Sequence, residues 1–161
     1  MSIYNNLFLH IGPDGNKLNP EVLQMSGPIL SVEVSIPSDL ASALTKENKP
    51  IPNPTAGWAL IDTGATRSCV DDDVIRKLGV NPIGAGEVHD SGGKQSVNFF
   101  PAHFRFPGAP LPEIEFTSAI GVNINAQKVN NQSIIALLGR DILKNCVFIY
   151  NGTLGMYTIS I

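Results

Sequence analysis

The chain has 161 residues, of which 43% are apolar and 16% charged, and a formal net charge of −3. That length and balance fit one globular domain with a real core and exclude a disordered chain. There is no basic cluster for nucleic acid or an anionic membrane, no run of roughly 18 apolar residues to span a bilayer, and only two cysteines, without disulfide or metal spacing.

The opening "MSIYNNLFLHIGPDGNK" lacks the basic start and sustained apolar stretch of a leader peptide, so a soluble cytoplasmic protein is expected. Residues 1–27 are mixed and polar, with turn signals at Pro13-Asp14-Gly15 and Gly27-Pro28. They read as a loosely held N-terminal extension with a strand in Leu7–Ile11, and the folded domain is expected over 28–161. "ILSVEVSI" alternates apolar and polar side chains from Ile29 to Ile36, the period of a half-buried strand. A long connection follows, with one helical turn expected at Asp39–Leu44 and prolines at 50, 52 and 54 marking an exposed loop.

Trp58 to Ile61 forms the next strand and runs straight into Asp62. Beyond it, "VDDDVIRKLGV" predicts a short helix capped by Asp71, acidic in its first turn, basic in its last, and stopped by Gly79. The three consecutive acids point in different directions, so they read as helix chemistry and not as a metal site. "GEVHDSGGKQSVNF", Gly86 to Phe99, predicts a hairpin with its tip at Ser91-Gly92-Gly93. "AHFRF" and "EIEFTSAI" supply further strands. The end of the chain predicts a strand into Gly139, a short helix near Asp141–Lys144, and a hairpin turning at Asn151-Gly152. "ALIDTGATRSCVDDDVIRKLG" and "IALLGRDILKNC" are weakly alike: each runs from an apolar strand into a short helix, and only the first carries the acid. An all-β architecture with one or two short helices accommodates these elements.

A carboxylate at a strand end is costly unless hydrogen bonds serve it. Gly64 permits close backbone approach and its N–H can reach Asp62, while Thr63 offers a hydroxyl to brace the loop. Two such acids brought together at about 3 Å cannot both ionise and so share a proton. One then acts as base on a water and the other as acid toward a carbonyl, which is amide hydrolysis without a covalent intermediate.

"LIDTGAT", with "LLGRD" whose Gly139 lies 77 residues beyond Asp62, resembles the retropepsin family of aspartic proteases over residues ~29 to 161. The resemblance implies a single closed, barrel-like β lobe and makes Asp62, Thr63 and Gly64 the catalytic loop, with Thr63 gripping its counterpart across a dimer interface. It implies that Ala65 and Thr66 belong to the substrate cleft with Gly64. The 86–99 hairpin, with Ser91, Gly92 and Gly93, would be a flap over a peptide or protein substrate, and Leu137 would face a side-chain pocket. No metal or cofactor is required.

The one other similarly spelled acid, Asp90 in "HDSGG", lies 28 residues on, too close for a second lobe. One chain therefore holds half a site, and a two-fold homodimer is expected to supply both halves. Ala65 cannot donate a side-chain hydrogen bond to the ionised acid as Ser or Thr would, so activity is expected to extend toward mildly acidic or neutral pH. Retroviral members carry an acid where Thr66 stands, paired with the arginine matching Arg140; here Arg140 must find another acceptor. The N-terminal extension and the 37–54 loop suggest dimer contacts of a different kind. His10, His89 and His103 lack metal spacing, and Cys69 reads as core. A peptide-binding or dimerisation module that keeps the fold without catalysis is the alternative, because fold does not license activity.

Overall fold

The computed structural model describes residues 2–12, 15–90 and 93–161. The first half of the chain forms β1 (Ile3–Leu7), β2 (Leu9–Gly12), β3 (Gly15–Leu18), α1 (Pro20–Ser26), β4 (Ile29–Ser35), α2 (Ser38–Lys46), β5 (Thr55–Ile61), β6 (Cys69–Asp71) and α3 (Asp72–Lys77). The second half adds β7 (Gly84–Asp90), β8 (Gly93–Arg105), β9 (Ile114–Val122), β10 (Lys128–Val129), β11 (Gln132–Leu138), α4 (Arg140–Leu143), β12 (Val147–Asn151) and β13 (Met156–Ser160). No helix among the described residues is long and apolar enough to cross a membrane.

Six strands close a barrel in the order β11-β5-β4-β8-β9-β6, and β6 returns to pair with β11. The alternation of β4 drives this closure: Leu30, Val32 and Val34 are wholly buried while Ser31, Glu33 and Ser35 are half exposed. Each such side chain contributes about 2 kcal/mol by leaving water. The neighbouring strand β8 supplies Phe100, Ala102 and Phe104, with the Phe104 and Phe116 rings 4.8 Å apart. β8 has 13 residues because it serves three partners, extending the hairpin with β7 and then joining β9 and β4. Pro101 cannot donate to a ladder, and the β8–β9 register shifts between Phe100 and Ala102.

Four short helices are present among the described residues, against an expectation of one or two. α1 has no helical signature in the sequence. It offers only one buried anchor, Leu23, behind a proline at its start, and so lacks a helical stripe of its own. α2 is longer than the single turn expected, because Glu115 on β9 reaches its exposed start and accepts from Ser38 N at 2.7 Å and Ser38 Oγ at 3.0 Å. α3 matches expectation: Asp71 accepts from Val74 N at 3.0 Å, and Gly79, at φ +81°, turns the chain just past the end.

The N-terminal segment is not loosely held. β1 pairs antiparallel with β13 along its whole length, and Leu23 is buried in the main core. Asn6 Nδ2 and the buried Tyr157 hydroxyl both donate to the Ile29 carbonyl, tying this sheet to the barrel. β13 lies between β1 and β12, so the last strand has no free edge to offer a second copy. The closing turn takes Gly152–Gly155 because Asn151 pairs with Met156, and Asn151 Oδ1 accepts from Leu154 N at 3.1 Å.

Candidate active site

β5 and β11 lie side by side and parallel, with Ala59 opposite Ala136, Leu60 opposite Leu137 and Ile61 opposite Leu138. The two similar segments are thus neighbours in space. Asp62 leaves β5 with its N–H still donating to the Leu138 carbonyl at 3.0 Å. The chain then turns sharply around its own carboxylate, whose Oδ1 accepts from Gly64 N at 2.8 Å and Ala65 N at 3.2 Å. Asp62 is half-buried, and its Oδ2 takes no hydrogen bond among the described residues. One oxygen is fixed by backbone donors and the other is available to a water or a substrate.

The following residues cross the β11–α4 junction and are locked there. Arg140 N donates to the Ala65 carbonyl at 2.9 Å and Asp141 N to that of Thr66 at 3.2 Å. Asp141 accepts from Ser68 N at 2.9 Å and Ser68 Oγ at 2.7 Å, while Ser68 Oγ accepts from Gly139 N at 3.1 Å. A Cβ on Gly139 would lie 2.6 Å from the Arg67 carbonyl carbon, so glycine lets the two chain segments touch. Arg140 finds its acceptor in Thr66 Oγ1 at 2.8 Å, with a longer bond of 3.4 Å to the Thr63 carbonyl. A neutral hydroxyl stands where the resemblance leads one to expect an acid.

Asp62, Gly64, Ala65, Thr66 and Leu137 all line one open cleft of about 950 Å³. Thr63 is exposed and outside that lining, and Gly93 stands at the start of β8 with φ +108°. Ser91 and Gly92 lie outside the described residues, although the flanking strands pair in hairpin register up to Asp90 and Gly93. That hairpin contributes Val88 and Val97 to the cleft. With Cys69, Ile120, Val122 and Leu137 they make a second apolar cluster, separate from the main core. Leu137 was expected at a pocket and Cys69 in the core, but Val88, Val97, Ile120 and Val122 escaped sequence reasoning, as did Arg67. Their alternation is legible, but only barrel closure decides which face meets the cleft.

The acids after the loop separate by role. Asp71 is buried, and besides capping α3 it accepts from Ile124 N, Asn125 N and Asn125 Nδ2 at 2.9–3.0 Å, which anchors the far wall of the cleft. Asp72 lines the cleft but is paired with Arg76. Burial, reinforced by the Asp141 and Asp62 charges and opposed by Arg67, pushes the Cys69 thiol up to about 11. It is therefore protonated at neutral pH and no nucleophile. Among the described residues, Asp62 is the one cleft carboxylate without a cationic partner. No family model matches the chain, and no curated protein matches it.

Proposed function

We propose that the chain is a retropepsin-like aspartic endopeptidase that works as a homodimer, with Asp62 of each copy facing the other around one water. The two carboxylates share a proton. The ionised one takes a proton from the water as its oxygen attacks the scissile carbonyl carbon, and the protonated one gives its proton to the carbonyl oxygen. The resulting gem-diol collapses, the amide nitrogen takes a proton, and the C–N bond breaks to leave an acid and an amine. An extended peptide lies beneath the 84–99 hairpin, pairing its backbone with strand edges while alternate side chains enter the apolar cluster around Leu137.

The observation that carries this reading is the Asp62 turn: Oδ1 held by Gly64 N and Ala65 N, Oδ2 unengaged among the described residues, all at the wall of a cleft large enough for several peptide residues. The test is cleavage of a generic unfolded protein with and without a statine-type inhibitor, beside Asp62→Asn. The asparagine variant should lose on the order of 10²–10⁴ in rate, as loss of a general acid–base pair does. The mass in dilute solution should double with inhibitor if the empty dimer dissociates. An Asp62→Asn protein as active as its parent removes the enzyme reading. Inhibitor binding without cleavage by either protein moves the assignment to a peptide-binding module on the same cleft.

A further inference from the structure

We propose that the cleft selects peptides bearing an acidic side chain close to the scissile bond, and that Arg67 is the residue that reads it. The inference rests on the peptidase reading of the same site. Arg67 follows the Asp62 turn and lines the same cleft. Its guanidinium carbon sits 5.1 Å from the centroid of the Phe99 ring, at the base of the hairpin. Nη2 donates to the Ser118 carbonyl and, at 2.9 Å, to Ser118 Oγ. An aromatic face and two neutral oxygens hold the planar group in place without cancelling its charge. A guanidinium carries five N–H donors, and those on Nε and Nη1 have no partner among the described residues.

The other charges of the cleft are already committed. Asp72 is paired with Arg76, and Asp62 is the reacting group. Arg67 is thus the one cation without a carboxylate partner among the described cleft-lining residues. An acidic side chain entering beside ionised Asp62 is repelled unless a cation offsets it, and a neutral isostere gains nothing from that cation. A pre-set guanidinium fork matches a carboxylate in both shape and charge. The half-buried position of Arg67 limits screening by salt. A purely structural role also exists, since Arg67 stacks on a Phe99 ring that packs where a Cβ on Gly86 would lie only 2.8 Å away. That role would affect all peptides alike.

The test is a neutral extended peptide with one Glu moved through each position, each compared with its Gln counterpart by kcat/KM. At one or two positions Glu should exceed Gln by about tenfold, the scale of a charge-assisted hydrogen bond. The ratio should collapse to one in Arg67→Gln, fall below one in Arg67→Glu, and fade below pH ~4.3 as the peptide carboxylate protonates. The parent protein alone decides the matter if a variant does not fold: no position at which Glu exceeds Gln overturns the inference and leaves the peptidase intact. If nothing is cleaved, the same series built on a non-hydrolysable statine unit is titrated calorimetrically. A Glu preference there keeps Arg67 as the reader and removes the peptidase; equal or absent binding overturns the inference.

Discussion

Asp71→Ala removes a carboxylate that four donors share. Val74 N caps against it at 3.0 Å, Ile124 N and Asn125 N reach it at 3.0 and 2.9 Å, and Asn125 Nδ2 at 2.9 Å. The side chain is wholly buried, so water does not replace it without opening the structure. Loss of the cap costs about 1 kcal/mol. The two backbone N–H groups of the 124–125 loop, left without an acceptor, cost about 1 kcal/mol each or more. The expected total is ~3–4 kcal/mol. With ~2.1 cal/mol/K of unfolding entropy per residue, a chain of 161 residues loses roughly 9 °C of Tm for 3 kcal/mol. Asp71→Asn keeps one acceptor for Val74 N but turns an NH₂ toward donors, and should lose ~2 kcal/mol. Urea unfolding measures both, and amide exchange at Ile124 and Asn125 should quicken in each. An alanine variant within ~0.5 kcal/mol of the parent would refute the claim that this carboxylate ties α3 to the cleft wall.

Gly139→Ala places a methyl 2.6 and 2.7 Å from the Arg67 carbonyl carbon and oxygen, backbone atoms that cannot rotate aside. It should cost ~1–3 kcal/mol by thermal denaturation and lower activity by displacing the Asp62 turn; an unchanged Tm would mean the two segments separate easily. Thr66→Asp gives Arg140 an anionic partner where a hydroxyl now sits at 2.8 Å. Because the pair is exposed, the gain should be at most ~1 kcal/mol and shrink in high salt, as urea unfolding at two ionic strengths would read. Cys69 makes stability fall at high pH. Above its ordinary 9.0 the unfolded thiol releases its proton while the fold retains it up to about 11, so rising pH favours unfolding across that window. Cys69→Ala should flatten that part of the stability profile, and iodoacetamide should label Cys69 faster after unfolding.

Much of the barrel was legible because strand periodicity is a local property. The alternation of Ile29–Ile36 names its buried face without knowledge of any partner, and the acidic start and glycine stop of 71–79 announce a capped helix. The Asp62 loop was legible for the same reason: the carboxylate and the donors that hold it, Gly64 and Ala65, lie within three residues. Arg140 shows the limit. Its acceptor was left open, and it turned out to be the Thr66 hydroxyl, which adjacency of β5 and β11 brings within 2.8 Å.

Composition, periodicity and the spelling of one loop determined an all-β chain with an acid poised at a strand end. Only tertiary structure decided that β1 pairs with β13, that Gly139 must be bare under Arg67 and Ser68, and that Val88, Val97, Ile120 and Leu137 share one apolar cluster. The reason is range. Strand alternation and capping depend on neighbours a few residues away, whereas these contacts depend on which strands meet when the barrel closes, and that is settled by the fit of all side chains together.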